Sequence, residues 1–169
     1  GDKLREECGI FGVIGAKADA AAMTALGLHA LQHRGQEAVG IVSFDGQHFF
    51  ARRGLGHVAQ VFDDQAKFAE LPGGMAAGHV RYSTTGETIL RNVQPLFAEL
   101  VAGGLAVGHN GNLTNTGDLA EQISKLTQGK SEDGLQATTD TEIMTALIAV
   151  QEGKSFEHSA LEVLPKLKG

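Results

Sequence analysis

Cys8 is the single cysteine of 169 residues, and the chemistry open to that thiol organises the reading of everything after it. A lone cysteine builds no disulfide framework, so its use is either packing or reaction. It stands in Glu7-Cys8-Gly9-Ile10-Phe11-Gly12-Val13, at the mouth of an apolar, glycine-punctuated stretch. Three later stretches carry polar groups between glycines and threonines of the kind that complete a thiol site. They are Gly78-His79-Val80-Arg81-Tyr82-Ser83-Thr84-Thr85-Gly86, Gly108-His109-Asn110-Gly111-Asn112-Leu113 and Thr138-Thr139-Asp140-Thr141-Glu142. The four pieces are expected to converge on one active site.

A thiolate attacks a carboxamide carbon well only when something takes the thiol proton. If residues 1–7 are removed, the new α-amine of Cys8, with a pKa of about 7.7 to 8, is neutral often enough to act as that base. Nucleophile and base then sit on one residue, as in N-terminal threonine enzymes. Residues 1–7 themselves read either as a frayed terminus or as a leader, a propeptide cut before Cys8. Attack creates a tetrahedral oxyanion, and losing one fixed donor to such an oxyanion costs roughly 3 kcal/mol in hydrolases. Asn110 and Gly111 offer two donors on adjacent residues, a side-chain NH2 and a backbone N–H. The competing reading of Asn-Gly is a hairpin turn.

Arg81 closes an apolar run, where a guanidinium could hold a substrate α-carboxylate through two parallel hydrogen bonds. Asp140 could hold the matching α-ammonium. The pair would select an amino acid and leave its side-chain amide facing Cys8. Taken singly, Arg81 also reads as a surface ion pair and Asp140 as part of a helix cap.

Other motifs carry less. Gly9, Gly12 and Gly15 lie within an apolar strand rather than between a strand and a helix, so they are no dinucleotide loop. The two Gly-Lys-Ser tripeptides, at Gly129 and Gly153, lack the earlier glycine of a Walker loop, since Ser124 and Ile148 stand there. His29 and His33 have the spacing of a metal pair, but no nearby cysteine or carboxylate completes a tetrahedral set, so no metal site is assigned.

The elements that must position these residues follow from periodicity and turn chemistry. Residues 8–14 read as a buried strand. Residues 18–33 form a helix with Met23, Leu26, Ala30 and Leu31 on its apolar face, closing near Gly35. Residues 39–44 and 48–53 flank Asp45-Gly46 as a hairpin. Residues 57–70 have a helical period and 75–82 return to strand. Residues 96–100 and 105–109 form an antiparallel pair. Asn115 caps a helix over 117–127, and 128–137 are a polar loop. Thr139-x-x-Glu142 is a capping box for the helix that runs on through Val150, and Ser159-x-x-Glu162 opens a last apolar segment. Strands and helices that do not alternate strictly argue for an α+β fold with mostly antiparallel sheet.

Length suits one domain. A net charge of −6 without a basic cluster argues against nucleic acid as a partner. Nothing approaches the run of about 18 apolar residues of a membrane helix, and a lone unpaired cysteine suits the cytoplasm.

Five stretches, in order, carry a resemblance. Cys8-Gly9-Ile10-Phe11-Gly12, Leu31-Gln32-His33-Arg34-Gly35-Gln36-Glu37, Gly78-His79-Val80-Arg81-Tyr82-Ser83-Thr84, His109-Asn110-Gly111-Asn112-Leu113-Thr114 and Thr139-Asp140-Thr141-Glu142 resemble the class II glutamine amidotransferase domain of the amidophosphoribosyltransferase family. They span nearly the whole chain. The second stretch favours that family over the glucosamine-6-phosphate, asparagine and glutamate synthases.

The resemblance implies an N-terminal-nucleophile hydrolase fold, an αββα sandwich of two mainly antiparallel sheets between helical layers. It implies that the glutaminase domain occupies 8–169 and is incomplete, with further strands and a phosphoribosyltransferase domain absent. It implies glutamine hydrolysis through a cysteinyl thioester, with ammonia passed to phosphoribosyl pyrophosphate in the first committed step of purine biosynthesis. The implied roles are Cys8 as nucleophile, Asn110 and Gly111 as oxyanion hole, Arg81 and Asp140 as glutamine clamps, and Tyr82 and Thr84 as pocket lining. Arg34 and Gly35 match a segment close to the nucleophile. No cofactor is implied in this chain: Mg2+ belongs to the absent domain, and one cysteine cannot hold an iron–sulfur cluster. The whole enzyme is expected to be a homo-oligomer. The family works with cysteine first, so the form with residues 1–7 attached is expected to be inactive. Rival readings are another class II amidotransferase and a glutamine-binding domain without turnover. A thiol-dependent metal-binding protein stands further off.

Overall fold

Glycine spacing and apolar runs in the first 95 residues become a four-stranded antiparallel sheet in the computed structural model, which describes residues 8–82, 90–100, 103–127, 139–151 and 153–169. The chain divides into two compact units. Gly1–Pro95 with Gly108–Asn110 make the first, Leu96–Val107 with Gly111–Gly169 the second.

In the first unit the order is β1 (Gly9–Ile14), α1 (Ala20–Ala30), a 3-10 turn (Gln32–Arg34), β2 (Ala38–Phe44), β3 (Phe49–Leu55), α2 (Val58–Val61), α3 (Gln65–Ala69) and β4 (Met75–Arg81). The strands lie side by side as β1-β4-β2-β3, every pair antiparallel. Val39, Ile41, Ala76 and Val80 form a core with Ala21, Ala25 and Leu28 of α1 and with Val58, Val61 and Phe62. The Asp45-Gly46 hairpin is as expected, with β3 starting one residue later. Asp45 Oδ1 accepts from the backbone N–H of Gln47 (2.8 Å) and His48 (2.7 Å), and Gly46 takes the positive φ the turn requires. The helical-period stretch 57–70 divides into α2 and α3, the latter capped by Asp64.

Two expectations are corrected here. β1 is a sheet edge and not a buried strand: Ile14 is 77% exposed, and Ile10 and Phe11 are also exposed. Only its Gly9, Phe11 and Val13 side turns to α1 and the core, with the Phe11 ring lying over Gly27 where a Cβ would come within 2.4 Å. On α1 the buried residues are Ala20, Ala21, Thr24, Ala25 and Leu28, while Met23, Leu26 and Ala30 are exposed. The helix is apolar on every side, so its period cannot choose a face. Close approach chooses instead: α1 lies on Gly78, where a Cβ would meet Leu28 at 2.6 Å and Thr24 at 2.8 Å. A face of small residues permits that approach.

β2 is buried on both sides. One side faces the helices. On the other, Gly40 lets the chain cross so closely that a Cβ would come within 2.1 Å of the Gln94 carbonyl oxygen.

The second unit holds the antiparallel pair β5 (Leu96–Leu100) and β6 (Gly103–Val107), then α4 (Thr116–Leu126), α5 (Asp140–Ala149) and α6 (Phe156–Val163). Its core is Leu105, Leu119, Ile123, Ile143, Met144, Leu147, Ile148 and Val163. The capping box of α5 forms as expected: Thr139 Oγ1 accepts from Glu142 N (3.2 Å), and Glu142 Oε2 accepts from Thr139 N (3.1 Å). Asn115 stands before α4 but does not cap it with its side chain. That side chain donates to Lys166 O (2.8 Å) and accepts from Lys168 N (3.0 Å), tying the last residues down. α6 starts four residues earlier than Ser159 suggests. Ser155 is its cap, accepting from His158 N at 3.3 Å, and Ser159 is buried inside the helix. The expected loop 128–137 lies outside the described residues, as do residues 1–7. No described helix is long and apolar enough to cross a membrane.

Candidate active site

At one end of the four-stranded sheet the antiparallel register brings the start of β1 beside the end of β4, since Gly9 pairs with Val80. Cys8, half-buried, therefore lies next to Arg81 and Tyr82. Its thiol is 3.5 Å from both Tyr82 O and Tyr82 N, donating to the first and accepting from the second. Arg34 Nε donates to the Cys8 carbonyl at 3.2 Å. The sulfur is thus set against the Tyr82 backbone, while the Cys8 carbonyl is held by a cation.

Arg34 reaches Cys8 because the turn after α1 is locked. Gln32 Nε2 donates to Gly35 O, and Gln32 Oε1 accepts from Val58 N at 2.7 Å, joining the turn to α2. Gly35 then passes against β4 so tightly that a Cβ would lie 2.7 Å from the Val80 and Arg81 backbone. Glu37 N donates to Arg81 O at 3.1 Å. Any side chain at position 35 would push the segment off the strand end. Gln32 escaped the sequence reading because it looked like one polar residue among several in Leu31-Gln32-His33-Arg34.

Arg81, also half-buried, ends β4 with Nη1 donating to Asn92 O at 3.0 Å; its Nε is buried and has no partner among the described residues. Those contacts make it a backbone-anchored cation at the strand end. Asn110 is exposed. The dipeptide Asn110-Gly111 follows β6 in irregular chain before α4, so it is not the turn of a hairpin.

Gly111 and Asp140 belong to the second unit. Asp140 is the first residue of α5, where Oδ2 accepts from Leu113 N (3.1 Å) and Oδ1 from Thr141 N (2.8 Å). The carboxylate thereby holds the irregular chain just after Gly111 and Asn112 to the positive end of α5. The cap itself is Thr139. Thr84 lies outside the described residues. Among the described residues no three His, Cys, Asp or Glu side chains gather as a metal site.

One buried group beneath this end of the sheet has a shifted charge state. His79, fully buried in β4, has its pKa pushed down from its usual 6.5 to about 4, chiefly because burial disfavours the cation. The unfolded chain takes up a proton near pH 6.5 that the folded chain refuses until about 4. This contribution to stability is therefore whole above pH 6.5 and is lost as pH falls from 6.5 to 4. The gap between those values corresponds to about 3 kcal/mol. Protection of the β4 amides from hydrogen exchange, corrected for intrinsic rates, is expected to fall across that window, and to fall less in His79→Gln.

The chain is similar along its length to proteins of one kind. It is 51% identical over 169 residues to amidophosphoribosyltransferase of Rhizobium etli, covering 100% of this chain and 33% of that one. Against the enzyme of the same name from Mycobacterium leprae it is 47% identical over 167 residues, covering 98% and 30%. A solved glutamine phosphoribosylpyrophosphate amidotransferase from B. subtilis superposes with a TM-score of 0.80 at 38% identity, over 95% of this chain and 33% of that one. No family model matches the chain. Through all 169 residues the chain is therefore similar to one part of the amidophosphoribosyltransferases, and it spans about a third of the length of the relatives it matches.

Proposed function

We propose that this chain is the glutamine-hydrolysing part of an amidophosphoribosyltransferase, folded as an N-terminal-nucleophile hydrolase sandwich, with Cys8 as nucleophile once residues 1–7 are removed. The observation that carries the reading is the placement of Cys8: it opens an edge strand, with its sulfur against the Tyr82 backbone and its carbonyl held by Arg34. Support for the fold comes from two antiparallel sheets, each with helices of its own.

The chemistry follows from the groups present. The free α-amine of Cys8 takes the thiol proton, and the thiolate attacks the side-chain carboxamide carbon of glutamine. The oxyanion that forms is met by the Asn110 NH2 and the Gly111 N–H. Collapse expels ammonia, which leaves with the proton the amine had taken, and a thioester remains on Cys8. Water, deprotonated by the same amine, attacks the thioester, and glutamate leaves as the C–S bond breaks. Arg81 holds the glutamine α-carboxylate and Asp140 its α-ammonium, while Tyr82 and Thr84 line the pocket. The ammonia goes to phosphoribosyl pyrophosphate, giving phosphoribosylamine in purine biosynthesis. That transfer belongs to the part of the longer enzyme outside this stretch.

Asn110→Ala in the whole protein, with Cys8 as its first residue, tests the oxyanion assignment. Ammonia release from glutamine is expected to lose roughly 10²-fold or more in kcat, with KM little changed. A raised KM at unchanged kcat would move Asn110 from oxyanion donor to substrate clamp.

A further inference from the structure

Asn110 lies in irregular chain, outside any strand or helix. A side chain that must meet an oxyanion within a few tenths of an ångström needs another source of rigidity. The first unit supplies one at the residue before it. His109 N donates to Gln94 Oε1 at 2.6 Å, and His109 O lies 3.1 Å from His79 Nε2. These two bonds hold the two peptide planes on either side of the His109 Cα. Its φ and ψ are thereby fixed, and the first loose torsion of the segment is that of Asn110 itself.

Both anchors are firmly seated. His79 sits in β4 with a strand on each side, paired with Ile10 and with Gly40. Its side chain is fully buried. Gln94 is buried where its carbonyl passes over Gly40, and Arg53 Nη2 donates to the next carbonyl, that of Pro95. The histidine is also poorly suited to a purely packing role. Its Nδ1 is buried with no partner among the described residues, a cost an apolar side chain would avoid. With Nε2 donating to His109 O, Nδ1 is left as an unprotonated acceptor, in keeping with a ring that stays neutral.

We propose that His79 and Gln94 are positioning residues for the oxyanion hole: they clamp the His109 peptides from both ends and so aim Asn110 at the reacting carbonyl. The proposal rests on the reading of Asn110 as an oxyanion donor. It assigns neither residue a contact with glutamine, so their loss acts on turnover and not on substrate capture.

The test uses the whole protein with Cys8 as its first residue and follows ammonia release from glutamine. His79→Phe keeps the ring and removes the donor; His79→Gln places an amide N–H near the position of Nε2. Gln94→Met removes the acceptor at similar length, and Gln94→Glu restores it. The Phe and Met variants are expected to lower kcat roughly 10- to 100-fold, the range seen when a reacting group is misplaced by about 1 Å, with KM nearly constant. The Gln and Glu variants should recover most of that loss. In an Asn110→Ala background, where the side chain that the clamp aims is gone, the Phe and Met changes should cost little more.

A KM effect without a kcat effect, no recovery by the conservative variants, or the same kcat loss in the Asn110→Ala background overturns the positioning role. If His79→Phe does not fold, the Gln94 pair decides the matter. The underlying reading fails separately: Asn110→Ala with parental kcat overturns it. A normal Asn110→Ala loss combined with unaffected Phe and Met variants overturns only the clamp.

Discussion

Replacing Cys8 with alanine, in the whole protein with that residue at its N-terminus, is expected to reduce glutamine hydrolysis by at least about 10³-fold. The substitution removes the sulfur and little else. The α-amine remains, β1 remains an edge strand, and the contacts given up are two weak ones of 3.5 Å to the Tyr82 backbone. Arg34 still has the position-8 carbonyl to hold, because that bond is to backbone. Glutamine binding by calorimetry should therefore persist while ammonia release disappears. Cys8→Ser should also be strongly impaired, since a hydroxyl is far less acidic than a thiol and a weak amine base generates little alkoxide. Mass spectrometry of the parent during turnover should find a glutamyl adduct on residue 8 that the alanine variant lacks. Hydrolysis near the parental rate in Cys8→Ala would falsify the assigned nucleophile and with it the mechanism.

Under the proposed mechanism, residues ahead of Cys8 would block the base. With residues 1–7 attached, the nitrogen of Cys8 is an amide whose lone pair is committed to the peptide bond, and it cannot take a proton from the thiol. Intact mass set beside ammonia release, before and after exposure of Cys8, ties activity to that one covalent change.

What the sequence makes legible is what is local. The capping box of Thr139 and Glu142 and the Asp45-Gly46 turn each depend on residues within three positions of one another, and both form as their spacing says. Ser159-x-x-Glu162 has the same outward form and fails. Glu162 is engaged by Lys154 and by His158, and Ser155 takes the helix start. A local pattern is only as good as the absence of a better partner nearby.

The face of α1 was not legible because Met23 and Leu28 are equally apolar, and a glycine some fifty positions later decides between them. The site divides the same way. Cys8, Arg34, Gly35, Arg81 and Tyr82 carry reactive or unusual side chains or a glycine, and the sheet register gathers them at one strand end. His79 and Gln94 act through another residue's backbone. In sequence they look like a histidine in an apolar run and a glutamine before a proline, and only the fold shows what they hold.

Arg81→Ala is expected to raise KM for glutamine about 100-fold while leaving kcat at saturation within a few-fold of the parent. Two charge-assisted hydrogen bonds from one guanidinium to a carboxylate contribute on the order of 3 kcal/mol when water is largely excluded, which corresponds to that factor. The α-carboxylate keeps its charge throughout the reaction, so the interaction is the same in ground and transition states and its loss falls on KM. The structure adds a second, smaller effect. Arg81 Nη1 serves the Asn92 carbonyl, and Asn92 is itself buried, so alanine removes a donor from a buried backbone acceptor at a cost of roughly 1 to 3 kcal/mol of stability. Arg81→Lys separates the two effects. An ammonium reaching the Asn92 carbonyl restores much of the stability, yet it cannot form two parallel bonds to a carboxylate, so KM stays high. Glutamine α-amide, which keeps the side-chain carboxamide while its α-carboxylate is neutralised, should show the same high KM with parent and Lys variant alike. A variant series in which KM follows stability step by step would assign Arg81 to the fold alone and remove it from the glutamine pocket.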